Sequence, residues 1–375
     1  MGDPSRNREE AWEPLDVASA VPLGSDIQFQ SFLAPPLVPA KAGAYLDEAL
    51  HTLLVILVDD ALLADAPFLD WLVAAAADPG MIDGRHQFLA VAPGSETRER
   101  WTHARAQFGR FQALEFSSLG EEAERLEWLA LRVLHDGLHL MAMGEGLAKG
   151  WKICLFVSHA KRDGLSLAKS LVNLLGAVPW LGSFYDARDL SSYRPWEVQL
   201  EDAVASSVLV SLRTDIYDHR PYCQKEIRWA EEYGAPMVLV DARGGLVHAA
   251  SGLPFEGAPC IRIPDGNLMR ILHVALRVAA RARAFVRRLV QIQKLHQTKL
   301  PAASAIKVIP VAPGMSAIAA ACESLAKVDK GPKLILYPGP KLAKGYLEAA
   351  VALAAGADAT LTTLADLLLD LEGAP

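Results

Sequence analysis

The sequence predicts a doubly wound α/β protein, with a parallel sheet covered by helices on both faces and further α/β segments on either side. Two observations carry that expectation. Between Lys152 and Asp241 short strand-like runs of β-branched and leucine residues alternate with amphipathic stretches of helical length. That rhythm calls for right-handed crossovers and parallel pairing. Hydrophobic residues also make up 51 % of the chain against 22 % charged, which supplies ample core and argues against global disorder.

A chain of 375 residues is two to three times the commonest domain length, so more than one folded unit is expected. Residues 1–25 carry Gly, Pro, Ser and charge without periodicity and read as a loose arm. Residues 26–148 form a first α/β domain. Within it Leu53–Val58 reads as a buried strand, Pro67–Ala77 as a helix, Phe88–Val91 as a strand and Glu121–Met143 as a helix. Gly144, Gly146 and Gly150 punctuate the join to the next unit, residues 149–265.

In that second unit Ile153–Val157 is a strand, Leu165–Leu175 a helix, Ser183–Tyr185 a short strand and Trp196–Ala205 a helix. Val208–Leu212 is a strand, Gln224–Tyr233 a helix and Met237–Val240 a strand. Residues 266–300 form a basic amphipathic helix, from about Leu268 to Leu300, that Pro301 terminates. Residues 301–375 make a smaller α/β piece with strands at Lys307–Val311 and Lys333–Leu336.

The first two domains echo one another. Tyr45–Leu57 aligns without gaps to Gln199–Ser211, and the same register sets Pro67-Phe68 opposite Pro221-Tyr222. A shifted register pairs Leu129-Ala-Leu-Arg-Val with Val274-Ala-Leu-Arg-Val. Chance can produce this between two amphipathic α/β segments. An incomplete second copy of one fold is the preferred reading, and it sets Leu72 where the second copy has Glu226.

The four cysteines, Cys154, Cys223, Cys260 and Cys322, are widely spaced without a CxxC pair, which fits a reduced, cytoplasmic setting. The polar segment Met1–Glu13 lacks the apolar core of a secretory signal, and the apolar runs are too short for a membrane span. A net charge of −7 gives no general attraction to nucleic acid or to an anionic membrane. Local basic contact is confined to Gly266–Cys322, which holds no acid, and there the arginines recur among apolar residues as on an ordinary amphipathic helix. A solvated face or an interface with an acidic neighbour is preferred to a nucleic-acid contact. No cluster suggests a metal.

Three separated pieces carry chemistry. They are Leu155-Phe-Val-Ser-His-Ala-Lys-Arg-Asp163, then Phe184-Tyr-Asp-Ala-Arg-Asp-Leu190 followed by Trp196, then Tyr222-Cys-Gln-Lys-Glu-Ile227. Each follows a strand, and in an open parallel sheet ligands bind outside the carboxyl ends of the strands, so loops far apart in sequence converge on one cleft. In order and spacing the pieces resemble the TIR (Toll/interleukin-1 receptor) domain, a flavodoxin-like fold, over about a quarter of the chain. The resemblance implies an NAD-cleaving enzyme of the bacterial defence-effector kind, with Glu226 as the catalytic carboxylate and NAD+ as substrate, with no cofactor. It implies that Ser158, His159, Asp186, Asp189, Trp196 and Tyr222 contact the substrate. It further implies partnership with other TIR domains as a homo-oligomer or filament, the flanking segments sensing a trigger or holding the assembly.

The chemistry suits one carboxylate. Breaking the nicotinamide–ribose bond passes through an oxocarbenium-like state whose positive charge a nearby carboxylate stabilises. Nicotinamide leaves as a neutral molecule from a cationic centre, so no general acid is needed. On composition alone Glu226 would be a solvated helix residue, Ser158 and His159 polar residues ending a strand, and Cys223 a buried small hydrophobe rather than a nucleophile. Phe156 and Trp196 read mainly as core.

The chain also departs from the family pattern. Where the loop after the second strand normally has glycine it has Tyr193, followed by Pro195, and Tyr222 stands for the family's Trp. The rival reading is a non-catalytic TIR adaptor that recruits other TIR domains. Such an adaptor need not keep Glu226. The glycine-bearing stretches Val311–Ser316 and Tyr337–Lys341 are read as simple turns in preference to phosphate cradles.

Overall fold

A computed structural model describes residues 51–143, 152–185, 189, 195–243, 258–263, 266–296, 299–302, 305–328, 331–339 and 342–372. The chain divides into two compact units, residues 1–149 and 150–375.

In the first unit β1 (Thr52–Leu57) is followed by α1 (Asp60–Ala64), α2 (Ala66–Ala76) and α3 (Pro79–Ile82). Then come β2 (His86–Ala92), α4 (Ser95–Ala104), β3 (Leu114–Glu115) and α5 (Arg125–Met143). Aspartates start the early helices: Asp59 accepts from Leu62 N, Asp65 from Phe68 N and Asp78 from Gly80 N, each satisfying an otherwise unpaired first-turn amide. The strands pair in parallel in the order β1-β2-β3. Leu69, Leu72, Trp101 and Phe108 pack one face of that sheet, and the Trp101 and Phe108 rings stack at 4.3 Å. Leu72 is fully buried in this core.

The second unit opens with β4 (Ile153–His159), α6 (Leu165–Gly176), β5 (Leu181–Phe184) and α7 (Trp196–Ala205). It continues through β6 (Val208–Arg213), α8 (Pro221–Tyr233), β7 (Met237–Asp241), β8 (Cys260–Arg262) and α9 (Met269–Leu295). The five strands are all parallel in the order β5-β4-β6-β7-β8. This is the flavodoxin-like 2-1-3-4-5 arrangement. Every residue of β6 is buried, as expected of a central strand covered on both faces. Pro221 supplies the first turn of α8 and Gly234, at φ +62°, closes it in the left-handed conformation. In sequential order and parallel sense β1, β2 and β3 match β6, β7 and β8.

Beyond α9 lie β9 (Ile306–Val308), α10 (Met315–Ala326), β10 (Lys333–Tyr337), α11 (Lys344–Ala355), β11 (Ala359–Thr363) and α12 (Leu364–Glu372). A second parallel sheet of order β11-β10-β9 results. β9 is shorter than the expected Lys307–Val311, because Pro310 cannot continue a ladder.

The long basic helix differs from the expectation in two ways. It ends at Leu295, ahead of Pro301, where the buried stripe of Phe285, Leu289 and Ile292 runs out and Leu295 is exposed. It is also a shared core element. Its first half buries Ile271, Leu272, Ala275 and Leu276 and packs against β6 and β7. Its second half joins Ile306, Leu336, Leu364, Leu367 and Leu371 in the core of the C-terminal sheet.

Candidate active site at the switch of strand order

From β4 the chain crosses to β5 on one side, and from β6 it proceeds to the opposite edge, so the order reverses between β4 and β6. In open α/β sheets the ligand crevice lies there, outside the carboxyl ends of the strands. Ser158 and Ser211 face each other across these two strands.

Three buried polar side chains meet at this point. The Ser158 hydroxyl donates to Glu226 Oε2, and the Tyr217 hydroxyl lies 2.6 Å from Ser158 Oγ. Serine has one hydrogen to give and here gives it to Glu226, so Tyr217 donates to Ser158. Tyr217 is fully buried, and burial raises its ionisation well above the ordinary range; the Glu226 charge adds to this and hydrogen bonds with Ser158 and Ser211 partly offset it. It therefore stays a donor. The relay Tyr217–Ser158–Glu226 runs from the turn after β6 through the end of β4 to α8 and fixes the orientation of one carboxylate oxygen.

The surrounding backbone is tied down. Asp163, in the loop after β4, accepts from Thr214 Oγ1 at 2.7 Å and Ile216 N at 3.2 Å in the loop after β6. Arg213 forks onto Asp218 at 3.0 and 2.5 Å, and Gln224 Nε2 donates to the Asp218 carbonyl. The turn carrying Tyr217 is thus clasped between β6 and the start of α8.

Cys223 is buried and its thiol contacts the His159 carbonyl oxygen at 3.6 Å. Burial, then the Glu226 charge, pushes the thiol up to about 12, so it holds its proton at neutral pH and is no nucleophile. The His159 ring stacks on Tyr185 with centroids 5.3 Å apart.

Of the expected site residues, Glu226 and Ser158 touch, and His159 follows Ser158 in the same strand. Glu226 is only 8 % exposed, unlike the solvated residue its composition suggests. Tyr222 stands one turn before it on α8 and meets Trp196 edge-on, ring centroids 4.9 Å apart. Both rings are exposed, Trp196 at 42 %, which corrects its reading as core. Pro195 caps α7 and sets Trp196 at its first position, on the rim of the fold. Asp189 accepts from Tyr185 N at 2.8 Å and closes a local turn. Asp186 and Tyr193 lie outside the described residues. Phe156 is core, stacked on Phe184.

Tyr217 and its clasp, Arg213–Asp218, are site features the motifs did not flag. The signal was an aromatic hydroxyl within the polar turn Thr214-Asp-Ile-Tyr-Asp-His219 just after the central strand. Among the described residues no group of three His, Cys, Asp or Glu side chains is placed to hold a metal ion.

Comparison with known proteins adds little. No family model matches the chain. No curated protein matches it either. One similar solved structure is that of a metazoan TIR-STING receptor from C. gigas in complex with 2',3'-cGAMP, at 12 % identity and a TM-score of 0.29. The match covers 43 % of this chain and 56 % of that one, so the similarity spans little more than half of the receptor's length.

Proposed function

We propose that residues 149–265 form a TIR-type NAD+ nucleosidase domain, with Glu226 as its catalytic carboxylate. The observation that carries this reading is a glutamate buried at the reversal of strand order and oriented by the Tyr217–Ser158 relay. A carboxylate withdrawn from water and fixed before reaction is what an oxocarbenium-like state needs, because its stabilisation then costs no reorganisation as charge develops. The ribose sits over Glu226 with its hydroxyls toward the carboxylate. The exposed Trp196–Tyr222 pair, next to it, offers ring faces and edges for the nicotinamide or adenine. Nicotinamide departs with the bonding electrons, and water or a second nucleophile takes C1′.

The partners in this reading are NAD+ and further TIR domains of the same chain, assembled as a homo-oligomer or filament in an antiviral defence or signalling role. Residues 26–148 are a shortened, catalytically silent relative of residues 149–265, with Leu72 where Glu226 stands. No described helix is long and apolar enough to cross a membrane.

The test is release of nicotinamide from NAD+ by the purified full chain, measured across a range of protein concentrations. Turnover that steepens with concentration supports both the chemistry and the assembly. No release at any concentration, with the chain folded and associating, would leave the adaptor role in its place.

A further inference from the structure

The glycine-bearing turn Val311–Ser316 has a use that the chemistry above does not absorb. It opens α10, whose first residues carry no capping side chain of their own, since Gly314 is the N-cap. Glu231 of α8 lies against it. A Cβ at Gly314 would stand 2.5 Å from Glu231 Oε1 and 2.8 Å from its Cδ, so the carboxylate packs directly on this glycine and any larger residue would have to displace it. A helix N-terminus favours a negative group in this place. Just beyond, a Cβ at Gly234 would stand 2.7 Å from Pro310 Cδ. The 310–314 segment therefore touches α8 closely at two successive points.

Glu231 is half-buried, and its carboxyl is raised above the usual range by burial, which the Ser316 hydroxyl partly offsets and Glu232 reinforces. Beside it a cavity of about 30 Å³, lined by Ala235, Met237, Val311 and Ala317 among others, has room for about two waters. The carboxyl is thus partly covered, lying between α8 and the start of α10.

Glu226 and Glu231 are five residues apart on α8, about 140° around the helix. One faces the switch crevice and the other faces α10. We propose that Glu231 is a positioning residue: seated against Gly314 at the start of α10, it fastens α8 to the C-terminal sheet and so holds Glu226 on Ser158. The C-terminal sheet then acts on catalysis without touching substrate. The kinetic part of this rests on the nucleosidase reading, whereas the fastening does not.

The experiment uses the full chain with Glu231→Ala, Glu231→Gln and Gly314→Val, followed by amide hydrogen exchange and nicotinamide release. Glu231→Ala removes the contact, and Gly314→Val leaves the glutamate in place but pushes it off its seat. Both should speed exchange in the peptide covering 221–233 while leaving β1 and β2 as in wild type. Both should also lower kcat about tenfold with KM within about twofold, as misplacement of a catalytic group does. Glu231→Gln, of the same shape, should restore both. Wild-type exchange over 221–233 in the Ala and Val variants overturns the proposal. So does exchange that rises equally across residues 152–372, since that is general loosening. If wild type releases no nicotinamide, the nucleosidase reading fails by itself and the exchange data still decide whether Glu231 fastens α8.

Discussion

Glu226→Gln separates charge from shape. The amide is nearly isosteric, and its oxygen can still accept from Ser158. What disappears is the negative charge in a site only 8 % exposed. A unit positive charge about 4 Å from a carboxylate, at an effective dielectric of about 20, is stabilised by roughly 4 kcal/mol. Because the oxocarbenium-like state carries only part of a unit charge, roughly half to all of that is at stake. The expected loss in kcat is then on the order of 30- to 1000-fold.

Stability should move far less. Exchanging a charge-assisted hydrogen bond for a neutral one costs about 1 kcal/mol, and relief from burying a charge opposes it. For a unit of this size that limits the change in Tm to about 4 °C. Nicotinamide release and thermal melting of the same preparations decide the matter. If the variant turns over NAD+ like an active wild type, Glu226 is not the catalytic group and the chemistry passes to Asp186 or Asp189. Should Glu226→Gln fail to fold, Ser158→Ala keeps the question open to measurement: it leaves the charge, breaks the relay, and should lower kcat by less than the glutamine does.

Trp196→Ala removes an exposed ring from the Tyr222 pair and should raise KM for NAD+ about two- to tenfold with little change in kcat, from a stacking contribution of about 0.5–1.5 kcal/mol. A thiol reagent at pH 8, read by mass spectrometry, should modify exposed Cys260 and spare buried Cys223 until the chain unfolds, because the latter's thiol is pushed up to about 12; rapid native labelling of Cys223 would contradict the buried site. Asp241 is held at about 2, by Arg243 first and by Arg262 against the cost of burial. A depressed carboxyl stabilises above its unfolded value of about 3.9 and loses that contribution as pH falls through the folded one. Asp241→Asn should therefore be less stable than wild type near neutrality, with the gap closing between about pH 4 and pH 2 in acid-denaturation curves.

The central sheet was legible because its signals are local. Val208–Leu212 is a run of apolar and β-branched residues and the helical spacing shows from Gln224 to Tyr233, so β6 and most of α8 could be drawn from neighbours in sequence; the first turn was missed, although Pro221 marks the start. The Glu226–Ser158 pair was legible only through motif order. Tyr217 was not, since its value comes from Ser158, 59 residues away, and no pattern in its own turn encodes that partner. Trp196 was misjudged because hydrophobicity predicts burial, whereas its place behind Pro195 at the first position of α7 turns it outward. The early end of α9 was missed because proline is a loud stop signal, and the fading of the buried stripe after Ile292 is a quiet one.

That helix has a consequence for how the molecule comes apart. With Ile271 to Leu276 in one core and Phe285 to Ile292 in another, neither sheet can lose α9 without uncovering a row of its own interior. The two sheets should melt as a single cooperative block, in one transition rather than two. A chain cut after residue 300 would retain Ser158, Tyr217 and Glu226 but lose the Gly314 seat of Glu231, and it would present Phe285, Leu289 and Ile292 to water, a bare apolar seam of the kind that drives aggregation.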